Sequence, residues 1–416
     1  MEATGVLEKL LDAGSRGVDL TKPADLRGLT SMAEALESRF DTADQAAAMD
    51  QRVSTDGRVS IFARVALKLA VSRLRLRELE RPVHVSVVFA VYRERRRLLT
   101  QDEHRLGEDA LREKMRQLRW LFERTPEHSW DLLVVDDGCP ESSGKVAQAI
   151  LAQQARPDEQ GRVLWLQEAV ERGLPITRDL ASAEDSQKGG AIRLGLWSAV
   201  QQTRAADHVV LFTDADLSTH LGQVGLLVHP IASAGVVAAV GSRRKASSVV
   251  VKSGGRDHRG KVFIYLWKRM LPELRGLIDT QCGFKAFSAA DLRTWIEGTR
   301  DNGFSFDIEA LLTIRRRDVG QIARVPVAWI DSEEASTTAE HAPYLPMLRS
   351  VVRMRAAAGA DRNGGEAFAR LVERLDEEAF ERLLAHAPPA ITRREPSGFD
   401  EFAEVTADEL ASLAGV

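Results

Sequence analysis

Two carboxylates one residue apart, Asp214 and Asp216, are the residues of this chain best placed to hold a metal ion. They follow the apolar run 209–212, which predicts a buried strand. Open α/β sheets bind ligands beyond the carboxyl ends of their strands. Side chains two residues apart in an extended chain point to the same side, so both carboxylates can face one cation. Such oxygen ligands suit Mg²⁺ or Mn²⁺ shared with substrate phosphates. The alternative is a solvated loop with two acids by chance.

Two further loops carry polar side chains at the ends of predicted elements. Asp136 and Asp137 follow a predicted strand and directly precede Gly138. A carboxylate there commonly binds a ribose hydroxyl or a base edge, whereas the same side chains could cap the helix that begins near Glu141, and both interpretations stay open. Lys188 opens another predicted helix, where an ammonium beside the helix N-terminus suits an anionic phosphate.

Apolar runs alternate with helical patterns between about residues 82 and 336, which predicts an α/β fold with a largely parallel sheet. The predicted strands are 83–91, 132–135, 162–166, 208–212, 236–241 and 322–329. The clearest predicted helices between them are 108–125, 143–154 and 189–203. Because parallel strands end at one edge of a sheet, the loops that carry Asp136, Asp214 and Arg243 predict one shared site.

Helical patterns flank this region on both sides. Residues 1–80 predict a helical N-terminal extension, with helices at 31–40 and 61–79. Residues 341–416 predict a helical, acidic C-terminal extension, with helices at 345–358 and 365–386. Its acidic run predicts a solvated face or a loose tail. The predicted domains are therefore 1–80, 81–340 and 341–416.

Composition narrows the class of protein. Of the 416 residues, 44% are hydrophobic and 28% are charged, as in ordinary soluble proteins. The net charge of -4 gives no reason to expect a nucleic-acid partner. No apolar stretch approaches the roughly 20 residues that span a bilayer, and the N-terminus lacks a secretory signal, so we expect a cytoplasmic protein. Two cysteines, Cys139 and Cys282, are too few for a disulfide framework or a structural zinc site.

Together these segments resemble the family 2 glycosyltransferases with the GT-A fold, and within them the dolichyl- or polyprenyl-phosphate glucosyltransferases. The matching segments are 87–94, 134–138, 188–193, 214–216, 241–243, 279–285 and 306–309. The resemblance runs from about Val83 to Trp329. It implies a Rossmann-like, mostly parallel sheet flanked by helices, a divalent Mg²⁺ or Mn²⁺, and a nucleotide-sugar donor, for which we expect UDP-glucose.

The resemblance also assigns roles to individual residues. The residues implied for the donor and its metal are Glu94, Asp136, Asp137, Lys188, Asp214, Asp216 and Arg243. Among these, Asp214 and Asp216 would hold the metal. Asp279 would act near the anomeric carbon as base or orienter, and Gln281 would address sugar hydroxyls. Arg243 would meet phosphate on the donor or on the acceptor, and Glu309 would be a second acid in the pocket.

The chemistry supports an inverting reaction. A cation with a lysine or arginine stabilises a departing nucleotide without a proton donor. One carboxylate on the opposite face can deprotonate an acceptor hydroxyl, which leads to inversion. A phosphate acceptor is already ionised, so Asp279 would then orient it.

The acceptor and the partners stay open at this stage. A polyprenyl phosphate, a soluble phosphorylated metabolite and the hydroxyl of a natural product all fit. The basic, apolar segment 252–269 suits either an anionic acceptor with peripheral membrane contact or an ordinary packed helix. Its glycines suit a mobile lid. The terminal extensions could form a homodimer or shape the acceptor pocket.

Two rival functions compete with this interpretation. Asp214-Ala215-Asp216 also resembles the first motif of haloacid-dehalogenase phosphatases, with Asp214 as nucleophile. That reading leaves segments 241–243 and 279–285 unexplained. A non-catalytic GT-A module that binds a nucleotide sugar is the second rival.

Overall fold

The computed structural model describes residues 5, 10–11, 17–156, 160–202, 204, 207–251, 257–318, 320–331, 343–357 and 365–416. The chain divides into two compact units. The first comprises residues 1–253, 282–298 and 320–336, and the second comprises 254–281, 299–319 and 337–416. The three predicted domains, which follow the order of the sequence, stay a prediction.

A seven-stranded sheet forms the centre of the first unit. Its strands are β1 (Val83–Val91), β2 (Ser129–Asp136), β3 (Gln160–Trp165), β4 (Asp207–Thr213), β5 (Ala238–Ser242), β7 (Phe284–Ser288) and β8 (Ile322–Pro326). They are ordered β3-β2-β1-β4-β7-β5-β8, and β7 alone runs antiparallel to its neighbours. The short strands β6 (Val249–Val251) and β9 (Ala328–Ile330) pair in parallel as a second sheet. This arrangement confirms the predicted mostly parallel α/β sheet.

Helices of the first unit cover the sheet. After β1 come α4 (Arg95–Leu98) and α5 (Ala110–Phe122), and after β2 comes α6 (Ser143–Gln154). The others are α7 (Leu166–Glu171), α8 (Gly189–Val200), α9 (Val224–Ala234) and α11 (Ala289–Trp295). The core contains the alternate apolar residues of β1, with Val85, Val87 and Phe89 fully buried. Because β1, β2, β4 and β5 run in one direction, their carboxyl ends meet at the edge where the sequence predicts the site.

The N-terminal helices are part of this unit. They are α1 (Pro23–Glu37), α2 (Ala43–Val53) and α3 (Ile61–Arg77). Helix α3 is buried on nearly every side and packs against α1, α2 and α9. The buried Arg73 on α3 forms ion pairs with Glu34, Glu37 and Glu123 at 3.2–3.3 Å. The predicted helix 61–79 is confirmed, and the predicted helix 31–40 begins earlier, at Pro23, whose fixed φ suits the first turn.

Helices make up the second unit. They are α10 (Asp257–Met270), α12 (Phe306–Arg317), α13 (Tyr344–Ala356), α14 (Glu366–Arg374), α15 (Glu377–Ala385), α16 (Pro389–Thr392) and α17 (Ala407–Ala414). The predicted single helix 365–386 is two helices, because Leu375 is extended and Asp376 caps α15 through Ala379 N at 2.8 Å. Phe399 and Phe402 are buried, so the loose-tail alternative is wrong. The acidic side chains Glu377, Glu378, Glu401 and Glu404 are exposed, so the solvated-face alternative is the one observed.

The sequence patterns did not predict β6 and β7, and one predicted strand, 322–329, is longer than the strand observed. β6 is three residues long, and β7 carries a lysine at its second position. The predicted strand 322–329 is divided at Val327, since β8 pairs with β5 while β9 pairs with β6. A strand of three residues, or one of five residues that contains a lysine, carries too little periodic signal to be recognised without its partners.

Candidate functional site

Strand β4 delivers the acidic pair to the carboxyl edge of the sheet, as predicted. The strand ends at Thr213, and the chain bends from residue 215 onward, so the extended geometry expected for the pair is wrong. Asp216 Oδ1 accepts hydrogen bonds from Ser218 N at 3.0 Å and from Ser218 Oγ at 2.6 Å. The Asp214 side chain is 28% exposed and Asp216 is half-buried. Both acids are therefore within reach of a ligand at the sheet edge.

Gly283 provides the space that the Asp214 carboxylate occupies. A Cβ atom at this position would lie 2.2 Å from Oδ2 and 2.3 Å from Oδ1 of Asp214, far inside van der Waals contact. Gly283 directly precedes β7, whose Phe284 pairs with Thr213 at the end of β4. The glycine of the 279–285 motif thus has a steric role, because any larger side chain would displace the carboxylate.

Lys188 brings a positive charge to the acidic pair from the start of α8. Its ammonium donates a hydrogen bond to Asp214 Oδ1, and its backbone N–H donates to Asp137 Oδ2 at 2.8 Å. Its φ of +77° is rare for a residue with a Cβ atom, and such strain is concentrated at functional sites. Burial by itself raises the pKa of Asp214, but the charge and hydrogen bond of Lys188 outweigh it and leave that pKa below its usual value.

The two acids at the end of β2, Asp136 and Asp137, accept hydrogen bonds from backbone N–H groups. Asp136 Oδ1 accepts from Cys139 N at 2.9 Å, and Asp136 Oδ2 accepts from Gly144 N, in the first turn of α6, at 2.7 Å. The capping alternative is therefore the one observed for Asp136, whereas its contact with a nucleotide stays a prediction. Burial raises the pKa of Asp137 to about 6.

Glu94 lies in a buried charge network that the sequence patterns did not indicate. Its carboxylate accepts from Arg97 Nη1 at 2.7 Å, and Arg97 Nε donates to Glu108 at 3.3 Å. Burial raises the pKa of Glu94, and it raises that of Glu108 to about 7. The run 95–97 of three arginines resembles a solvated surface, so only the fold reveals that Arg97 faces inward.

Lys114 is a second residue that sequence reasoning missed. It is fully buried on α5, and its ammonium donates to the backbone carbonyl of Asp216 at 2.6 Å. The ammonium also lies 5.6 Å from the centre of the Phe89 ring. Burial lowers the pKa of Lys114 to about 8, although the nearby Asp216 and Asp214 oppose this shift. Lys114 thus holds the loop that carries Asp214 and Asp216 through the backbone of Asp216.

Arg243 follows β5 at the same edge. Its guanidinium lies 5.3 Å from the centre of the Trp329 ring, and its charge contributes to the low pKa of Asp214. The structure therefore brings together Asp214, Asp216, Lys188 and Arg243, four of the residues assigned from the sequence.

Asp279 and Gln281 belong to the second unit, and their predicted roles stay predictions. Asp279 is buried, and Gln281 Nε2 donates to Asp307 Oδ1 at 2.6 Å. This contact fixes the orientation of the Gln281 amide, a role for Asp307 that the motif alone did not indicate. Glu309 accepts from the backbone N–H groups of residues 300 and 301 at 2.7–2.9 Å, so its carboxylate holds that loop.

The basic segment forms helix α10, and the acidic C-terminal region covers it. Of the three glycines on which the lid prediction rests, Gly254 and Gly255 lie outside the described residues, and Gly260 lies within α10. The observed contacts are Arg259 with Glu381 at 2.9 Å, Lys268 with Asp400 at 2.5 Å, Tyr265 Oη with Val405 O at 2.6 Å and His258 with Leu384 O at 3.0 Å. These contacts favour the packed-helix alternative over a membrane-facing surface.

His220, which follows the acidic pair closely, has a structural role. It is fully buried, and its Nδ1 accepts from Gly222 N at 2.9 Å. Burial lowers its pKa to about 3, so the ring is neutral at physiological pH.

The donor set fits a divalent cation that is shared with a substrate. Two carboxylates on one bent loop supply hard oxygen ligands, and Gly283 leaves room for one of them. Within the described ranges, no group of three or more His, Cys, Asp or Glu side chains could hold a metal ion. Asp214 and Asp216 would be the protein ligands of the cation, and donor phosphates and water would complete its shell.

Comparison with known proteins supports a common class. No family model matches the chain. It is 25% identical over 247 residues to glycosyltransferase AglD of Haloferax volcanii, covering 59% of this chain and 33% of that protein. It is 23% identical to the dolichyl-phosphate beta-glucosyltransferase of Saccharomyces cerevisiae, covering 55% of this chain and 65% of the yeast enzyme. The chain thus spans from a third to just under two thirds of these relatives' length.

Among solved structures, mannosyl-3-phosphoglycerate synthase from Rubrobacter xylanophilus is similar, with a TM-score of 0.45 and 19% identity over 69% of this chain and 77% of that one. Glucosyl-3-phosphoglycerate synthase from Mycobacterium tuberculosis, solved with phosphoglyceric acid, has a TM-score of 0.44 and 18% identity over 71% and 85% of the two chains.

The mostly parallel sheet is the α/β fold that the sequence predicts, and the named relatives to which the chain is similar are glycosyltransferases. Within that class, the predicted resemblance to the dolichyl-phosphate glucosyltransferases is confirmed, since relatives from Saccharomyces cerevisiae and Dictyostelium discoideum both carry that name. In the described part of the chain, no helix is both long and apolar enough to cross a bilayer.

Proposed function

We propose that this protein is an inverting, metal-dependent glycosyltransferase that moves glucose from UDP-glucose to a phosphate or hydroxyl acceptor. The observation that carries the proposal is the acidic pair at the sheet edge, with Lys188 bonded to Asp214 and Gly283 shaped around its carboxylate. Carboxylate ligands for a divalent cation beside a lysine ammonium suit the binding of a diphosphate.

The reaction breaks the bond between the anomeric carbon and the β-phosphate oxygen, and UDP departs with the bonding electrons. The acceptor oxygen forms the new bond from the opposite face, which inverts the anomeric configuration. A bound Mg²⁺ or Mn²⁺ would neutralise charge on the diphosphate, with Asp214 and Asp216 as its protein ligands. Lys188 and Arg243 would bind the phosphates, and Asp279 would deprotonate a hydroxyl acceptor or orient a phosphate.

A polyprenyl phosphate is the acceptor that we place first. Its support is the name shared by several relatives, whose substrate is a dolichyl phosphate. The contacts of α10 with the C-terminal region argue against that helix as the lipid-binding surface. A cytoplasmic location and a homodimer stay predictions.

The test is a donor panel of UDP-glucose, UDP-N-acetylglucosamine and GDP-mannose, with Mn²⁺ and with or without polyprenyl phosphate. Release of UDP or GDP is the readout. We expect UDP release from UDP-glucose that rises with the acceptor. Asp214→Asn and Asp216→Asn should abolish Mn²⁺-dependent UDP binding while leaving the circular dichroism spectrum unchanged.

Asp279→Asn should lower turnover far more than donor affinity. The matched control is Asp102→Asn, an exposed acid in the turn before α5. Equal Mn²⁺-dependent UDP binding by Asp214→Asn and the control would overturn the metal assignment, and a phosphorylated Asp214 would revive the phosphatase alternative.

A further inference from the structure

Lys188 and Asp214 form an ion pair inside the proposed metal site. Both side chains are partly exposed, at 33% and 28%, so solvent and ligands can reach the pair. The contact spans 26 residues of sequence and joins the start of α8 to the loop after β4. The Lys188 side chain therefore already provides Asp214 with a cation.

The surroundings of Asp214 already carry positive charge besides the ammonium of Lys188. Gly283 closes one side of the carboxylate, with a would-be Cβ atom 2.2–2.4 Å from Oδ2, Oδ1 and Cγ. Lys114 and Arg243 add positive charge close enough to lower the pKa of Asp214. A divalent ion that binds Asp214 would meet strong repulsion from an ammonium held on the same carboxylate.

The backbone of Lys188 is held independently of its ammonium. The backbone N–H of Lys188 donates to Asp137 Oδ2 at 2.8 Å, and the residue lies directly before the first turn of α8. The four-carbon stem can therefore swing while the helix stays in place. A helix N-terminus attracts anions, so a phosphate is a natural second partner for the released ammonium.

We propose that Lys188 is an exchangeable counter-ion of Asp214, which a divalent cation displaces and which then binds the diphosphate of the donor. The inference rests on the proposed function and adds an order to it. Without metal, the ammonium of Lys188 keeps Asp214 ionised and in position. When a divalent cation binds Asp214, the ammonium of Lys188 is released and binds the phosphates of the donor. Metal and nucleotide binding are thereby coupled through one side chain.

The proposal gives Lys188→Met opposite effects on two equilibria. Without nucleotide, this variant should bind Mn²⁺ about three- to tenfold more tightly than wild type, because the competing ammonium is gone. With saturating Mn²⁺, it should bind UDP at least about tenfold more weakly, because the phosphate loses a charged partner. Methionine keeps the length of the stem and the same backbone constraint.

The measurements are Mn²⁺ titration followed by electron paramagnetic resonance and UDP titration by calorimetry, on the full chain. Lys145→Met, an exposed lysine on α6, is the matched control and should change neither affinity. Lys188→Arg keeps the cation and should leave Mn²⁺ affinity near wild type. Unchanged or weaker Mn²⁺ binding by a folded Lys188→Met would overturn the exchange while leaving the proposed function intact. Failure of wild type to bind UDP with Mn²⁺ would overturn both.

Discussion

Replacement of Gly283 by alanine tests whether the position of Asp214 determines the activity of the site. The three atoms nearest to the added Cβ all belong to Asp214, at 2.2, 2.3 and 2.4 Å. Since ordinary contact begins at 3.4 Å, the carboxylate must retreat by about 1 Å or rotate away. These three neighbours are side-chain atoms, so the Asp214 side chain can move away from the new methyl group without a shift of the backbone.

The expected effect is large on function and small on stability. A displacement of about 1 Å at a ligand can reduce activity about a hundredfold, which corresponds to roughly 2.7 kcal/mol. The unfolding free energy should fall by only about 1 kcal/mol, because the partly exposed pair of Asp214 with Lys188 contributes no more than that. A thermal shift of about 1–2 °C would match this loss, because the entropy of unfolding grows with chain length.

The assays are Mn²⁺-dependent UDP binding by calorimetry, UDP release from UDP-glucose and urea denaturation. Gly298→Ala is the matched control, because a Cβ atom there would meet nothing within 4 Å. If Gly283→Ala bound Mn²⁺ and UDP as well as Gly298→Ala does, the steric argument for Asp214 would be wrong. A loss of stability above about 3 kcal/mol would instead show that Gly283 serves the core.

Two further substitutions test buried groups. Lys114→Met should weaken Mn²⁺-dependent UDP binding about tenfold, because the Asp216 carbonyl loses its donor and the acidic loop loses its anchor; wild-type affinity in calorimetry would contradict that role. His208→Gln tests whether His208 makes the fold sensitive to acid. Burial lowers the pKa of His208 to about 4, so as the pH falls this side chain takes up a proton in the unfolded chain before it does so in the folded one. The unfolding free energy of the wild type should fall as the pH drops from 6.5 to 4. That of the glutamine variant should fall by about 1–2 kcal/mol less, after allowance for the partial exposure of His208. Identical urea midpoints for both proteins across that range would refute this role of His208.

Much of the first unit could be predicted from local pattern. The bounds of β1 and α6 coincide with their predictions, because a run of buried β residues and a helix flanked by turn residues carry strong signals. The sequence assigned three residues to the site, Asp214, Lys188 and Arg243, because each lies directly before or after such a strand or helix. The role of Asp136 could not be decided, since capping and ligand binding use the same side chain.

The amino-acid sequence by itself indicated most of the strands and helices in their order along the chain, the sheet edge at which the polar loops meet, and the types of ligand that those loops carry. Only the tertiary structure decided that Lys114 supports Asp216 across 102 residues, that Gly283 shapes the place of Asp214, and that the acidic C-terminal region neutralises α10. Periodicity reports which way a side chain points within its own element, whereas these contacts join distant segments and depend on how the elements pack.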